Sequence, residues 1–302
     1  MKFTVFGIGS ATPQLDKNPS AFLVQIENEY ILIDCGEGTQ YRLLEAKIKH
    51  TRLKTICISH LHGDHYFGLA GLLSSLSLNR RKEPITLIGP PGLIDILNLQ
   101  FKSSGTILSF ELNFIPTDNS DHKRLLDNGV FSIDSFPLIH RVPTTGFLIT
   151  QKAGLRHLLA DKLPENFPIP YIKKLKEGAD VYDEMSGKTF LCSEFTSEGE
   201  PEKKLAYCSD TAYNPSMIPV IKDANFMYHE ATFTSELKSR AEKTQHSTAT
   251  QAAEIAQMAN IGMMVIGHFS SRYKEFNTHL AEAKEVFEAT FLAEEGKTFT
   301  II

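Results

Sequence analysis

The chain has 302 residues, 42% of them hydrophobic, and a formal net charge of −5. This length allows one large or two smaller domains with a sizeable core, while the acidic balance excludes a global basic field that would bind nucleic acid over the whole surface. No run approaches the roughly 18 apolar residues of a membrane span, and the first residues lack the apolar core of a signal peptide. The four cysteines show no CxxC spacing, so we expect a cytoplasmic protein with reduced, buried thiols and no membrane contact.

The first part of the chain predicts three strands, at Lys2–Phe6, Ala21–Ile26 and Tyr30–Ile33, followed by a helix at Gln40–Ala46. The loop after the first strand contains Gly-x-Gly, but it lacks the third glycine and the following helix of a dinucleotide-binding turn, so we reject that function. Asp34 closes the third strand. Its carboxylate can either orient a metal-bound histidine from behind or take part in a turn and helix cap, and the sequence leaves both interpretations open.

The stretch Thr55–Gly71 carries the strongest chemical pattern of the chain. A short apolar strand ends at Ser59 and is followed within six residues by His60, His62, Asp64 and His65. Gly63 allows a tight turn, and an apolar pattern from Phe67 to Leu78 predicts a helix. Imidazoles and carboxylates are ligands that zinc-type ions prefer. One ion cannot easily use all four side chains of so short a segment, so the stretch predicts two adjacent ions. The alternative is a histidine-rich surface loop, but only 11 of the 302 residues are histidine.

The rest of the chain alternates further predicted strands and helices with one polar interruption. The strands are Ile85–Ile88, Leu112–Ile115, Val130–Ile133, Ser135–Ile139, Leu205–Cys208, Asn225–Tyr228, Met263–Ile266 and Phe299–Ile302. The helices are Leu93–Phe101, Ala249–Ala259, with Ser247 or Thr248 as its cap, and Leu280–Phe291. Residues Gln151–Pro201 are polar and broken by prolines, which indicates an insertion into the core fold; a merely solvated loop is the alternative.

Further candidates lie outside the first cluster: His140, Asp210, His229 and His268 follow predicted strands, and His246 precedes the predicted helix Ala249–Ala259. Strand ends from both halves of the chain suggest two αβ layers packed face to face, with metals along the shared edge. His60, His62 and His140 would surround one ion, Asp64, His65 and His268 the other, and a carboxylate such as Asp210 could bridge them. A hydroxide between two cations is already deprotonated near neutral pH. No Gly-x-Ser-x-Gly elbow or plausible Cys–His pair offers a side-chain nucleophile instead.

These motifs occur in a specific order along the chain: SHLHGDH at 59–65, HRVPTTGF at 140–147, YCSDT at 207–211, HEAT at 229–232, HST at 246–248 and GHFSSRY at 267–273. The first motif resembles the signature of the metallo-β-lactamase superfamily. The whole series resembles ribonuclease Z, the tRNA 3′-processing branch of that superfamily, from about Met1 to Tyr273.

The resemblance implies an α/β fold, a metallo-β-lactamase-like αββα four-layer sandwich forming a single domain over residues 1–302. We expect residues 151–201 to form a protruding tRNA-binding arm, because a chain with a net charge of −5 needs a local cationic contact for a polyanion, which Lys173, Lys174 and Lys176 supply. The activity implied is that of a zinc-dependent endoribonuclease, which removes 3′ trailers from precursor tRNA by metal-hydroxide attack and leaves a tRNA 3′-hydroxyl. A homodimer is also implied.

The resemblance also assigns residues to the site. Two Zn²⁺ ions would be held, one by His60, His62, His140 and Asp210, the other by Asp64, His65, Asp210 and His268. Asp64 would also accept the proton of the attacking water, His246 would act on the scissile phosphate or the leaving oxygen, and Glu230 would orient His246.

The chain departs from the family pattern at two places. The arm lacks the Gly-Pro stretch before its Leu-Lys-x-Gly segment, and the loop Pro13–Asn18 lacks the arginine of the family's Pro-x-Lys-x-Arg-Asn. A small-molecule phosphodiesterase, an arylsulfatase-like enzyme, or another hydrolase of the superfamily such as a lactonase or thioester hydrolase is the alternative. A non-catalytic metal-stabilised or nucleic-acid-binding scaffold is a second one, against which the retained site residues argue.

Overall fold

The structure, a computed structural model, describes residues 1–302 in two compact units. The larger unit comprises Met1–Thr150 and Lys204–Ile302, and the smaller one is Gln151–Lys203. No helix in the chain is long and apolar enough to cross a membrane.

The strands are β1 Lys2–Gly7, β2 Ala21–Ile26, β3 Glu29–Cys35, β4 Leu53–Cys57, β5 Ile85–Gly89, β6 Leu112–Pro116, β7 Lys123–Asp127, β8 Phe131–Leu138, β9 Thr144–Gln151, β10 His157–Leu158, β11 Val181–Asp183, β12 Lys188–Phe190, β13 Thr196–Ser197, β14 Lys203–Cys208, β15 Phe226–Glu230, β16 Met264–Gly267, β17 Thr290–Leu292 and β18 Thr298–Thr300. The α-helices are α1 Thr39–Glu45, α2 Gly63–Tyr66, α3 Leu69–Leu78, α4 Gly92–Ser104, α5 Ile169–Lys176, α6 Cys192–Phe195, α7 Ile218–Ile221, α8 Lys238–Thr244, α9 Ala249–Met258 and α10 Asn277–Val286.

The larger unit contains two seven-stranded sheets. The first has the order β18-β1-β2-β3-β4-β5-β6, and the second has the order β17-β16-β15-β14-β9-β8-β7. Strands β3 to β6 are parallel in the first sheet, and β14 to β17 are parallel in the second. Parallel strands end at the same edge of a sheet, so the residues that follow them are brought together there.

The two sheets pack face to face through an aromatic core. The ring of Phe22 on β2 lies 4.4 Å from that of Tyr228 on β15 and 5.4 Å from that of Tyr207 on β14. On the outer face of the first sheet, a second buried cluster joins strand residues to leucines of α3 and α4. Buried alanines of α9 cover the second sheet. The result is four layers in the order helix, sheet, sheet, helix.

Most predicted elements are present, and four predictions were wrong in an informative way. The histidine-rich segment is not a loop throughout, because Asp64 and His65 lie on the short helix α2. The helix predicted to begin at Phe67 begins at Leu69, after Gly68. A Cβ at Gly68 would lie 2.1 Å from the Gly36 carbonyl oxygen, so the chain passes too close to that backbone for any side chain.

The other two errors concern strands of the second sheet. The two predicted strands Val130–Ile133 and Ser135–Ile139 are the single strand β8, and β7 and β9 on either side of it were not predicted. The helix predicted to reach Phe291 ends at Val286, because Thr290–Leu292 pairs in parallel with β16 as an edge strand. Thr248 caps α9 with a capping box to Gln251, as expected.

The smaller unit has its own small core. Two two-stranded sheets, β10 with β13 and β11 with β12, flank helix α5. The rings of Phe167, Phe190 and Phe195 contact one another with centroids 4.9 to 6.2 Å apart, and Leu175 of α5 is fully buried.

Candidate metal centre

Residues predicted as ligands meet where strands of the two sheets end. His60 follows β4 of the first sheet, while Asp210 and His268 follow β14 and β16 of the second. All three side chains are buried. Ser59 and Ser209, the residues just before two of them, have their hydroxyls 3.1 Å apart and so join the two strand ends.

One ligand group consists of His60, His62, His140 and Asp210, whose candidate ligand atoms lie within 4.8 Å of one another. His62 Nδ1 is 3.1 Å from His60 Nε2 and 3.2 Å from His140 Nε2. Asp210 Oδ2 lies 3.7 Å from His60 Nε2 and 3.8 Å from His140 Nε2. Burial lowers the pKa of all three imidazoles, and neutral imidazole is the form that binds a metal.

The second group consists of Asp64, His65 and His268, with Asp210 beside it. Asp64 Oδ2 lies 3.4 Å from His65 Nε2 and 3.5 Å from His268 Nε2. Asp210 Oδ1 lies 3.5 and 3.2 Å from the same two nitrogens. All four atoms are buried without a hydrogen-bond partner. Buried polar atoms are rarely left unpaired, and a cation held between them would satisfy all four. The residues present therefore fit a pair of metal ions, with one oxygen of Asp210 facing each group.

The charges in the second group are strongly coupled. Burial alone would lower the pKa of His65, but the carboxylates of Asp210, Asp64 and Asp34 outweigh it and raise the pKa well above its ordinary value. Burial likewise opposes ionisation of Asp64, yet His65 and His268 hold the pKa of that carboxyl below its usual range. Both carboxyl groups, Asp64 and Asp210, are thus held ionised where the unpaired atoms converge.

Asp34 supports His65 from behind, so of its two possible roles the structure favours the orienting one. Its Oδ2 accepts hydrogen bonds from His65 Nδ1 at 2.7 Å, Ser59 Oγ at 2.9 Å and Tyr207 Oη at 2.6 Å. This leaves His65 Nε2 aimed at the centre, which is how metal-binding imidazoles are usually fixed. Asp34 does not cap helix α1, because the residue at that N-cap is Gly38. Sequence reasoning missed Tyr207, although it stands inside the YCSDT motif.

His246 forms a hydrogen bond with Glu230. Its Nδ1 donates to Glu230 Oε1 at 2.7 Å, and the other carboxylate oxygen accepts from Thr232 N and Oγ1 at 2.9 and 2.7 Å. Burial lowers the pKa of His246, but Glu230 outweighs it and raises the pKa to about 9. The candidate ligand atoms of His246 also lie within 4.8 Å of those of Asp210 and His268, so position alone allows His246 to be a ligand as well.

Thr232 is a second functional residue that sequence reasoning missed. Its hydroxyl lies 3.0 Å from His268 Nδ1. Because that hydroxyl donates to Glu230, it accepts from the imidazole and leaves His268 Nε2 facing the centre. His140 is fixed in the same way, since its Nδ1 donates to the Gln245 carbonyl at 2.9 Å. His229 is fully buried on β15 and belongs to neither ligand group.

A cleft of about 410 Å³ opens onto the centre. Its walls include His246, the metal-group residues His62 and Asp64, and three exposed arginines, Arg141, Arg240 and Arg272. Three guanidinium groups around one cleft favour an anionic substrate with several phosphates.

The predicted tRNA contacts lie in the smaller unit. Lys173 and Lys174 are exposed on α5, and Lys176 is partly buried at its end. Lys173 lies 4.0 Å from Glu177. The unit as a whole carries eight Lys and Arg against ten Asp and Glu, so any attraction for a polyanion must come from this local cluster and not from the unit's net charge.

Known proteins resemble this chain over its full length. A protein named ribonuclease Z from Cytophaga hutchinsonii is 44% identical over 303 residues, which cover 100% of this chain and 97% of that protein. This chain belongs to the ribonuclease Z family. The short form of human tRNase Z superimposes with a TM-score of 0.72 at 27% identity, covering 100% of both chains. YhfI of Bacillus subtilis, a metallo-β-lactamase fold protein, superimposes with a TM-score of 0.69 at 19% identity over 99% of both chains.

Membership of the ribonuclease Z family confirms three predictions: the family resemblance, the metallo-β-lactamase-like αββα fold and a phosphodiester-hydrolysing enzyme.

A sequence family described as "Anti-Pycsar protein Apyc1" also matches residues 1–129. That segment contains β1 to β7 and the histidine-rich stretch, but not His140, Asp210 or His268.

Proposed function

We propose that this ribonuclease Z family member is a zinc-dependent endoribonuclease that removes 3′ trailers from precursor tRNA and leaves a tRNA 3′-hydroxyl. The single observation that carries the proposal is the convergence of four buried, unpaired ligand atoms beside a second set of imidazoles. They lie in a cleft lined by three arginines, in a chain that resembles proteins named ribonuclease Z over its full length.

His60, His62 and His140 would hold one ion, Asp64, His65 and His268 the other, and Asp210 both. Zinc suits a set of imidazole nitrogens and carboxylate oxygens in this number. When bound, two such ions supply a water acidic enough to attack near neutral pH and positive charge beside the reacting phosphate.

The side chains of this chain would then handle protons and position. Asp64 would accept the proton of the attacking water, whose oxygen forms the new bond to phosphorus. The bond from phosphorus to the O3′ atom of the mature tRNA breaks, and His246 would donate the proton that O3′ needs. Glu230 occupies His246 Nδ1 at 2.7 Å, which leaves Nε2 to face the substrate. Arg141, Arg240 and Arg272 would attract the neighbouring phosphates.

The proposal extends to the substrate-binding arm, residues 151–201, with Lys173, Lys174 and Lys176 as phosphate contacts. It also includes a homodimer in the cytoplasm, which sedimentation of the purified chain and fractionation of the source cells would test.

A gel assay with a 3′-extended tRNA tests the activity. We expect one endonucleolytic cut near the 3′ end of the tRNA body, a mature product with a free 3′-hydroxyl, loss of cleavage with a chelator and recovery with zinc. Metal analysis should approach two ions per chain. An enzyme that hydrolyses a small phosphodiester but leaves every precursor tRNA intact would contradict the proposal and favour a small-molecule phosphodiesterase.

A further inference from the structure

A second cleft, of about 330 Å³, lies beside the metal centre. It shares Ala11, His62, Asp64 and Arg141 with the arginine-lined cleft described above. The remaining residues that line it are Pro13, Pro19, Glu37, Gly63 and Phe67. Both clefts therefore adjoin the ligand residues His62 and Asp64, and beyond these two residues they are lined by different side chains.

Phe67 is the most unusual wall of the second cleft. Phe67 is the residue directly after helix α2, which carries Asp64 and His65, and the Phe67 side chain is 64% exposed. A Cβ built on Gly63 would lie 2.2 Å from ring atom Cε2, so the ring packs against the Gly63 backbone. One side of the ring is thus fixed by the turn that bears the ligands, and the remainder is open to the cleft. Together with Pro13 and Pro19, the exposed ring forms an apolar wall of the cleft, and a contiguous exposed apolar patch commonly marks a binding surface.

The charges of the two clefts point to different parts of a nucleotide. The first contains Arg240 and Arg272 in addition to Arg141. The second contains Glu37, which is exposed and would repel a phosphate, together with two proline rings and the ring of Phe67. A flat apolar surface of this kind suits a nucleobase, because bases stack on aromatic rings whatever their sequence. A phosphodiester joins two nucleosides, so an RNA strand bound at the centre must leave it in two directions.

We propose that the cleft formed by Pro13, Pro19 and Phe67 binds the base of a nucleotide next to the scissile phosphodiester, with the Phe67 ring as the stacking surface. The inference rests on the proposed ribonuclease function. It assigns a nucleobase to this cleft and leaves the phosphates to the arginine-lined one.

The test is a cycle of enzyme and substrate variants. A 3′-extended tRNA is prepared with an abasic nucleotide on either side of the scissile phosphate, and kcat/KM is measured for wild type and Phe67→Ala. At one of the two positions, wild type should lose about 5- to 150-fold, the equivalent of one stacked base. Phe67→Ala should lose a similar factor on the intact substrate and nothing further on that abasic substrate. Phe67→Tyr should retain wild-type behaviour.

Controls separate stacking from folding and from the function itself. Phe67→Ala should keep the metal content and unfolding temperature of wild type. If Phe67→Ala loses either, Phe67→Leu, which keeps apolar volume without the ring, is used in its place. Phe291→Ala, at another partly exposed phenylalanine, should cleave both substrates like wild type. The inference is overturned if the loss from Phe67→Ala and the loss from the abasic substrate are additive, or if Phe67→Ala cleaves the intact substrate like wild type. Neither result affects the proposed function. Failure of wild type to cleave any precursor tRNA overturns the proposed function and the inference with it.

Discussion

The metal centre and the inserted unit differ in how they hold the side chains that we propose to function. At the centre, three imidazoles present one nitrogen to the metal groups because their other nitrogen is occupied: His65 by Asp34, His268 by Thr232 and His140 by the Gln245 carbonyl. In the inserted unit, Lys173 and Lys174 stand exposed on an eight-residue helix.

The difference follows from what each kind of contact requires. Coordination and proton transfer depend on atoms being held to within a fraction of an ångström. A lysine that contacts a phosphate acts as a mobile point charge, and the energy of this attraction depends less sharply on the distance between the two groups. Substitutions in the two regions should therefore differ in size and in kind.

Asp64→Ala should have the largest effect, because it removes a ligand of the second group and the proposed proton acceptor together. We expect cleavage of precursor tRNA to be abolished and metal content to fall below two ions per chain. A gel assay and metal analysis of the same preparation check both. An Asp64→Ala enzyme that retains two ions and a measurable rate would mean that neither role belongs to Asp64.

His246→Ala should separate proton transfer from metal binding. With the ligand groups otherwise intact, we expect cleavage to slow by about 10²–10⁴-fold and the metal content to stay near that of wild type. Glu230→Gln should slow the reaction less, because the amide still accepts a hydrogen bond from His246 Nδ1. Loss of an ion in His246→Ala would instead identify His246 as a ligand.

The sequence was sufficient for the candidate ligands but not for the residues that support them. His60 and His268 each follow an apolar strand and one small residue, and that local pattern predicted their position. Tyr207 and Thr232 are ordinary residue types, and the site residues that they support, Asp34 and His268, are distant in the sequence, so only the packed structure identifies them. Strand β7 is an edge strand that pairs with the neighbouring β8 and is mostly exposed, so it lacks the apolar alternation that predicts a strand, while β9 lies between β8 and the distant β14.

Arg81 illustrates the limit of a local pattern. Its side chain is buried and donates to four backbone carbonyls, those of His50, Leu53, Glu83 and Pro84. Burial of a guanidinium requires acceptors in a fixed arrangement, and only the turns of the folded chain provide it.

His279 should make the stability of the larger unit sensitive to acid. It is fully buried against Phe269, Phe276 and Tyr273, and burial lowers its pKa from 6.5 to about 4. Between these two values the unfolded chain binds a proton that the folded chain does not, so stability falls as the pH falls below about 6.5. Between pH 7 and pH 5, this should remove about 2 kcal/mol from the free energy of unfolding.

Denaturant unfolding of wild type and His279→Leu at the two pH values checks this contribution. The variant should lose about 2 kcal/mol less than wild type over the interval, whatever its stability at pH 7. His157→Leu, at an exposed histidine of the inserted unit, serves as the matched control and should follow wild type. Equal losses in wild type and His279→Leu would assign the acid sensitivity to other groups.

The smallest effect is expected for the combined substitution of Lys173, Lys174 and Lys176 by alanine. Each phosphate contact contributes about 0.7 to 0.9 units to the slope of log affinity against log salt. We therefore expect weaker binding of precursor tRNA at low salt and a slope flatter by up to about two to three units. Hydrolysis of a small phosphodiester, which reaches only the metal centre, should not change. Lys162→Ala with Lys188→Ala, at two other exposed lysines of the same unit, controls for charge when the change in slope is compared per lysine removed. An unchanged salt slope in the triple variant, or an equal change in the control, would remove α5 as the tRNA contact and leave the arginines of the cleft as the main source of attraction.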